Sequence, residues 1–140
     1  DGAFDGGKLT PDQRLLRSKY AKILNIAKTE QVITQGVFYD LMYANSRNPY
    51  FNVNRQYVFM RKYLNEVLLV VVNFDKNEQT VRVKIPSEAF HSLGFDDNKA
   101  AVLTDLLTGE TSISTLTAAC PFQLTLPAYS GNLLKFTYSK

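Results

Sequence analysis

The feature that most constrains the fold is an uninterrupted run of six apolar residues at 67–72, inside the longer stretch 66–74. Four of the six are β-branched, which favours an extended strand, and the run is too short to indicate a helix. A strand with one face in water would alternate apolar and polar residues. The run therefore predicts a strand covered on both faces, by partner strands on one side and by helical structure on the other.

Short β-type segments surround this run. Residues 57–64 precede it, and a tight connection at Asn65-Glu66 predicts a hairpin at the centre of a sheet. Ser87–Leu93 predicts a short helix that ends at Gly94. Other segments rich in β-branched or alternating residues and bounded by turn residues predict further strands. These are 37–44, 80–85, 100–107, 111–116, 122–126 and 133–138.

A helix is predicted ahead of the strands, over residues 11–28. Thr10 can cap it, Pro11 suits the first helical position, and Gln13 completes a capping box. The opposite side of the helix carries basic and polar residues, so the helix is amphipathic and its apolar side needs a partner. The apolar side consists of Leu16, Tyr20, Ile23, Leu24 and Ala27. One long helix followed by seven or eight closely spaced strands predicts a mainly β fold, an antiparallel sandwich or barrel.

Composition excludes several classes of partner. The net charge is +3, and the basic residues are scattered instead of forming a stripe with stacking aromatics, so we expect no nucleic-acid partner. No apolar run approaches the length of a membrane span, so we expect no membrane partner. The single cysteine, Cys120, cannot form an internal disulfide, and we expect it to be structural.

The polar residues that could support chemistry form no defined motif. Asp1, Asp5 and the Asp-Asp-Asn sequence at 96–98 could serve as calcium ligands, but their spacing fits no defined metal loop, and turn or cap roles are expected. His91 is the only histidine, so a histidine-based metal site or a catalytic triad would have to be built around it. We expect no catalytic residue, no metal and no cofactor in this chain.

An ordered series of short motifs runs through the chain. It comprises Asp1-Gly-Ala-Phe-Asp5-Gly-Gly, Leu16-Arg17 with Tyr20 and Leu24-Asn25, Gly36 with Phe38-Tyr39-Asp40-Leu41, Phe59-Met60-Arg61, Leu69-Val-Val-Val-Asn73-Phe74 and Pro127-Ala-Tyr129-Ser-Gly131. This series resembles the C-terminal end of the α-amylase family of glycoside hydrolases. In that family a (β/α)8 barrel carries out the reaction, and a Greek-key β-sandwich called domain C follows the last barrel helix.

The resemblance implies that residues 1–35 are a loop and the last helix of a parent barrel, and that residues 36–140 are domain C. It implies that the apolar side of the helix packs on the barrel, and that Arg61, Asn73 and Phe74 hold the sheet and its boundary. The catalytic carboxylates of the family would lie upstream of Asp1. We therefore expect this chain to be an inert part of a larger enzyme, periplasmic or secreted, that acts on α-glucans.

Exposed aromatic rings could bind an α-glucan, because the flat faces of glucose units stack on them. Tyr50, Phe51 and Tyr129 are the candidates, with gap filling under loops as the alternative role. Three hypotheses stay open: a domain C that stabilises its barrel and assists glucan binding, a free-standing carbohydrate-binding module, and an interaction domain unrelated to sugar. An apolar helix side without a barrel would favour self-association of the isolated chain.

Overall fold

A computed structural model describes residues 21–22, 25–26, 29–30 and 35–139 of the 140-residue chain. Residues 21, 22, 25, 26 and 29 are helical, so the predicted N-terminal helix is confirmed where it is described. A 3-10 turn at Tyr43–Asn45 and one helix, α1 (Ser87–Leu93), lie among the strands. The strands are β1 (Val37–Asp40), β2 (Gln56–Tyr63), β3 (Glu66–Asn73), β4 (Gln79–Val83), β5 (Lys99–Asp105), β6 (Thr111–Leu116), β7 (Phe122–Leu126) and β8 (Ser130–Thr137).

The strands form two antiparallel sheets. The large sheet has the order β1-β2-β3-β8-β5-β6, and the small sheet pairs β4 with β7. The apolar run lies in β3, which pairs with β2 on one side and with β8 on the other. The last strand of the chain therefore enters the middle of the large sheet. The predicted antiparallel Greek-key sandwich is confirmed, with eight strands in the part of the chain that the structure describes.

Strand β3 is buried on both faces, as its unbroken apolar run predicts. Val67, Leu69 and Val71 face the small sheet and belong to the main core between the two sheets. Leu68 and Val70 point the other way and are also buried. The second face is covered in part by helical Ile26, so strands cover one face and helical structure contributes to the other.

Buried side-chain amides tie the edges of the sandwich together. The Asn73 amide nitrogen donates to the carbonyls of Asn77 and Pro127 at 3.1 Å each, and its oxygen accepts the Asp75 N–H at 3.0 Å. The same oxygen accepts a hydrogen bond from Gln56 Nε2 at 3.1 Å. Because buried amides must be paired to be tolerated, this arrangement fixes the end of β3 against the loops of the small sheet. The expectation that Asn73 holds the sheet is confirmed.

The first strand is shorter than predicted. Strand β1 ends at Asp40 instead of residue 44, because Asp40 Oδ1 accepts the Met42 N–H at 3.0 Å and turns the chain. The 3-10 turn that follows is fixed by fully buried Asn45, whose Nδ2 donates to the carbonyls of Leu41 and Lys84 at 2.9 and 3.0 Å. Hydrogen bonds from the Asn45 side chain thus hold this segment, where the sequence predicted the end of a strand.

Other boundaries also differ from the prediction: β4 ends at Val83 instead of residue 85, and β5 ends at Asp105 instead of residue 107. The central hairpin turns at Leu64-Asn65, one residue earlier than expected, because Glu66 pairs with Tyr63 and Leu64 adopts a φ of 56°. Strand β8 begins at Ser130 instead of residue 133, because residues 130–132 pair with the end of β3. The predicted end of α1 at Gly94 is confirmed by a φ of 73° there.

Candidate binding surfaces

The outer face of the large sheet carries a small apolar cluster, here called the outer-face cluster. Its buried members are Leu68, Val70 and Leu133. Partly buried residues from the helical segment, β2, β3 and the loop after β5 pack around them: Ile26, Phe59, Tyr63, Val72, Leu106 and Leu107. The predicted barrel-packing residues Leu16, Tyr20, Ile23, Leu24 and Ala27 lie outside the described residues, so their role stays a prediction.

An ion-pair group joins the helical segment to this face. Lys135 Nζ on β8 lies 3.1 Å from Glu30 Oε1 and 3.5 Å from Glu66 Oε2. Burial by itself would lower the pKa of Lys135, but the two carboxylates outweigh it, so the pKa lies above its ordinary value. Neither Ile26 nor Lys135 was a sequence candidate. The four-residue spacing of Ile26 and Glu30 is a helical signal, but nothing local links either residue to Lys135, more than a hundred positions away.

A row of aromatic rings continues the outer face towards β1. Phe38 lies 5.2 Å from Phe59, and Phe59 lies 5.7 Å from Tyr57, measured between ring centroids. The guanidinium of Arg61 lies 5.9 Å from the Phe38 centroid and donates to the Gly36 carbonyl at 3.0 Å. Phe38 is 48% exposed and Tyr57 is also exposed, so this aromatic row is a surface feature.

An open depression of about 260 Å³ lies at the other layer, next to β4. Its wall includes Tyr50, Asn52, Gln56, Asp75, Gln79 and Thr80. Tyr50 is 54% exposed, and the guanidinium of Arg82 lies 4.4 Å from its ring centroid. Tyr50 is thus an exposed ring held in place by a cation, as expected of an aromatic that could contact a ligand.

The other two sugar-stacking candidates differ from Tyr50. Phe51 also lines the depression, but it is only 5% exposed and belongs to the main core, so the prediction of an exposed ring at this position is corrected. Its backbone N–H donates to the Asn48 carbonyl at 3.2 Å, which turns the loop so that consecutive aromatics point in different directions. Tyr129 is partly buried, has a φ of 50°, and is not part of the depression wall.

A smaller depression of about 180 Å³ lies at the far end of the large sheet, with Lys62, Lys99 and Tyr138 in its wall. The Tyr138 hydroxyl is buried without a hydrogen-bond partner among the described residues. Burial, and secondly the charge of Asp96, raises the pKa of Tyr138 to about 12. The hydroxyl is therefore an uncharged buried group at neutral pH.

The remaining polar candidates occupy separate places. Asp96 forms an ion pair with Lys99 at 3.7 Å, and Asp97 Oδ1 accepts the Ala118 N–H at 3.0 Å. His91 is exposed on the last turn of α1, and Cys120 is an exposed free thiol. Within residues 21–22, 25–26, 29–30 and 35–139, no group of three acidic, histidine or cysteine side chains could hold a metal ion, and no helix is long and apolar enough to cross a membrane.

Comparison with known protein families finds a match to this chain. A family model described as "Alpha amylase, C-terminal all-beta domain" matches residues 50–137, which is more than half of the chain. The chain belongs to this family. The matched region of this amylase C-terminal domain begins at Tyr50, includes all of the depression wall except Pro49, and extends to the end of β8. No curated protein sequence matches the chain.

Solved structures, two of them described as α-amylases, share the fold of this amylase C-terminal domain. AmyP in complex with maltose has a TM-score of 0.55 and 17% identity, covering 95% of this chain and 23% of AmyP. A maltogenic α-amylase, AmyB from Thermotoga neapolitana, has a TM-score of 0.59 and 14% identity, covering 88% of this chain and 26% of AmyB. An α-amylase from Geobacillus thermoleovorans, complexed with acarbose, has a TM-score of 0.52 and 15% identity, covering 79% and 20%. The chain thus spans about a quarter of the length of these enzymes.

Proposed function

We propose that this chain is the non-catalytic C-terminal domain of an α-amylase-like glycoside hydrolase acting on α-glucans, and that it covers and stabilises one end of the catalytic barrel. The observation that carries the proposal is the outer face of the large sheet. There a helical segment that precedes the sandwich packs through Ile26 and is bonded through Glu30 to Lys135. A sandwich held in this way to the preceding helix moves with whatever that helix packs against.

The exposed apolar residues of the outer face suit a protein partner. Phe38, Tyr57 and Phe74 are all exposed, and Val102 and Ile113 form an exposed cross-strand pair on β5 and β6. Exposed apolar side chains grouped at both edges of one sheet face can mark an interaction site. The barrel of the same enzyme is the partner we assign to this surface. A chain separated from its barrel would self-associate through it.

The helical segment has sequence features for two contacts at once. Ile26 and Glu30 are four residues apart and therefore share the side that meets the sheet. In an ideal helix Leu24 lies about 200° around the axis from Ile26, since each residue advances by about 100°. The part of the predicted apolar side that includes Leu24 would then be available to the barrel, and the helix would be shared between the sandwich and the barrel.

The acidic side chains support a structural role. Glycoside hydrolysis needs two carboxyl groups that flank the scissile bond. Around the described surfaces, Glu66 is paired with Lys135, Asp75 lies 3.8 Å from Arg55, and Asp75 is the one carboxylate in the wall of the 260 Å³ depression. Catalysis would therefore come from residues encoded ahead of this chain.

The test uses the polypeptide encoded ahead of residue 1, produced with and without this chain. We expect starch hydrolysis only when the upstream part is present, and a shorter half-life of activity on heating when this chain is removed. Phe38→Ser with Tyr57→Ser should shorten that half-life, while Tyr50→Ser on the opposite layer should not. An upstream region without a barrel, or equal half-lives with and without the chain, would contradict the proposal and favour a free-standing module.

A further inference from the structure

We propose that the depression beside Tyr50 binds a short segment of α-glucan, with the Tyr50 ring as a stacking platform and the amides of Gln79 and Asn52 as hydrogen-bond partners. The choice of α-linked glucose rests on the proposed function, whereas the ring, the amides and the depression are features of this chain alone. None of the wall residues belongs to the outer-face cluster or to the aromatic row, so the site is distinct from the surface assigned to the barrel. It would therefore stay accessible in the intact enzyme.

The ring of Tyr50 is fixed before any ligand arrives. The Arg82 guanidinium lies 4.4 Å from the ring centroid, and Arg82 is itself held by a hydrogen bond from its Nε to Gln123 Oε1 at 3.2 Å. The backbone is held too, because the Tyr50 N–H donates to Asn48 Oδ1 at 2.9 Å and the Tyr50 carbonyl accepts the Arg82 N–H at 3.1 Å. A ring that is already ordered loses little conformational entropy on binding.

The amides in the wall differ in how they are used. Gln56 is fully engaged, since its Oε1 accepts the Asn52 N–H at 2.8 Å and its Nε2 donates to Asn73 Oδ1. Half-buried Gln79 makes no side-chain hydrogen bond with the described part of the chain, and neither does the Nδ2 group of exposed Asn52. An unused amide supplies both donors and an acceptor, which is what sugar hydroxyls need.

The charge and size of the depression fit part of a neutral ligand. Its wall has the single carboxylate of Asp75, which is near Arg55, and no cluster of cations. Its volume of about 260 Å³ is below the ~300–1,000 Å³ typical of enclosed small-molecule sites, so it would hold part of a chain passing across an open surface. A polar pair lies next to the depression on the small sheet, where the Thr80 and Thr125 hydroxyls are 3.1 Å apart.

The experiment is a titration of the complete 140-residue chain with maltoheptaose, followed by ¹H–¹⁵N NMR. We expect saturable shifts centred on Tyr50, Asn52 and Gln79, with affinity in the millimolar range. Tyr50→Ala should weaken binding about fivefold or more, as truncation of an aromatic anchor does. Tyr50→Phe should keep the affinity within about twofold, because the ring face is retained. Gln79→Ala should weaken binding by a smaller factor and provides an independent test if Tyr50→Ala fails to fold.

The matched control is Tyr57→Ala, which removes an exposed tyrosine from the outer face of the large sheet. It should leave maltoheptaose binding unchanged. Shifts centred elsewhere, equal loss in Tyr57→Ala, no saturable binding, or equal binding of β-linked cellohexaose would each overturn the proposal. These failures are separate from failure of the barrel-stabilising function, which is measured by the heat inactivation of the whole enzyme and predicts no effect for Tyr50 variants.

Discussion

The two faces of β3 differ in how completely this chain covers them, although both faces are buried. Leu68 and Leu69 are neighbours in sequence, and both are fully buried. Leu69 belongs to a cluster of twenty buried residues between the two sheets, whereas Leu68 belongs to one of three, among the described residues. The inner face is therefore complete within residues 37–139. The outer face depends on the preceding helical segment and, under our proposal, on a barrel.

The largest expected effect comes from the inner face. Leu69→Ala should lower the free energy of unfolding by about 3–5 kcal/mol, because the closely packed core around it cannot collapse into the space left by the side chain. Urea unfolding of the purified chain measures this loss. A loss below about 2 kcal/mol would show that the inner face is more loosely packed than described.

The second-largest effect on stability is expected at the polar border of the inner face. Asn73→Ala should lower the free energy of unfolding by about 2–4 kcal/mol, because it leaves the Gln56 amide and the Asp75 N–H without their partner. The matched control is Asn77→Ala, which removes an exposed side chain but keeps the carbonyl that Asn73 uses. Equal effects of the two substitutions in urea unfolding would argue against a special role for the buried amide.

The outer face should be less sensitive than the inner one. Leu68→Ala should cost about 2–3 kcal/mol in the same assay, less than Leu69→Ala, since its partly buried neighbours can move into the space. Removing residues 1–30 should reduce this cost further, because Ile26 then no longer covers the cluster. If Leu68→Ala proves as costly as Leu69→Ala in the shortened chain, the two faces are equivalent and our comparison is wrong.

The smallest effect is expected for the ion-pair group. Lys135→Met should lower the free energy of unfolding by about 1 kcal/mol at neutral pH, since a half-buried pair is largely offset by desolvation. The pKa of Lys135 is raised in the folded state. Its contribution is therefore fully present below the ordinary lysine pKa of about 10.4 and is lost as the pH rises through the raised value.

The check is to measure unfolding of the wild type and Lys135→Met between pH 7 and 11. The difference between the two proteins should stay constant to about pH 10 and then fall as the pH rises towards 11. Lys76→Met, at an exposed turn lysine, serves as the control and should show no such difference. A difference between wild type and Lys135→Met that does not begin to fall above about pH 10 would mean that packing of the side chain, and not its charge, links the helix to the sheet.

The sequence was sufficient for features that depend on local pattern. The unbroken run in β3 predicts burial on both faces, because alternation is missing, and Gly94 predicts the end of α1, because a left-handed residue is needed there. The order of the strands in the sheet could not be predicted from the sequence. Leu69 pairs with Leu134, and no local signal indicates a partner that distant.

The depression beside Tyr50 was only half predictable. Tyr50 and Phe51 look alike in sequence, since both are aromatics in a polar loop without periodicity. Tyr50 is exposed and Phe51 is buried because of long-range hydrogen bonds. The side chains of Asn45 and Asn48 donate to the carbonyls of Lys84 and Arg82, and these bonds hold the loop against β4. Ile26 was missed for a related reason, because the apolar side assigned from the helical period did not include it.

The position of β8 has a consequence for how the domain is made. Residues 130–137 are synthesised after β3 and β5, yet they lie between these two strands in the finished sheet. Until they arrive, β3 and β5 each expose an unpaired edge that another chain could join. Without residues 130–137 the large sheet would be divided into a three-stranded piece, β1-β2-β3, and a two-stranded piece, β5-β6, so a chain that ends before β8 should aggregate instead of forming a smaller stable domain.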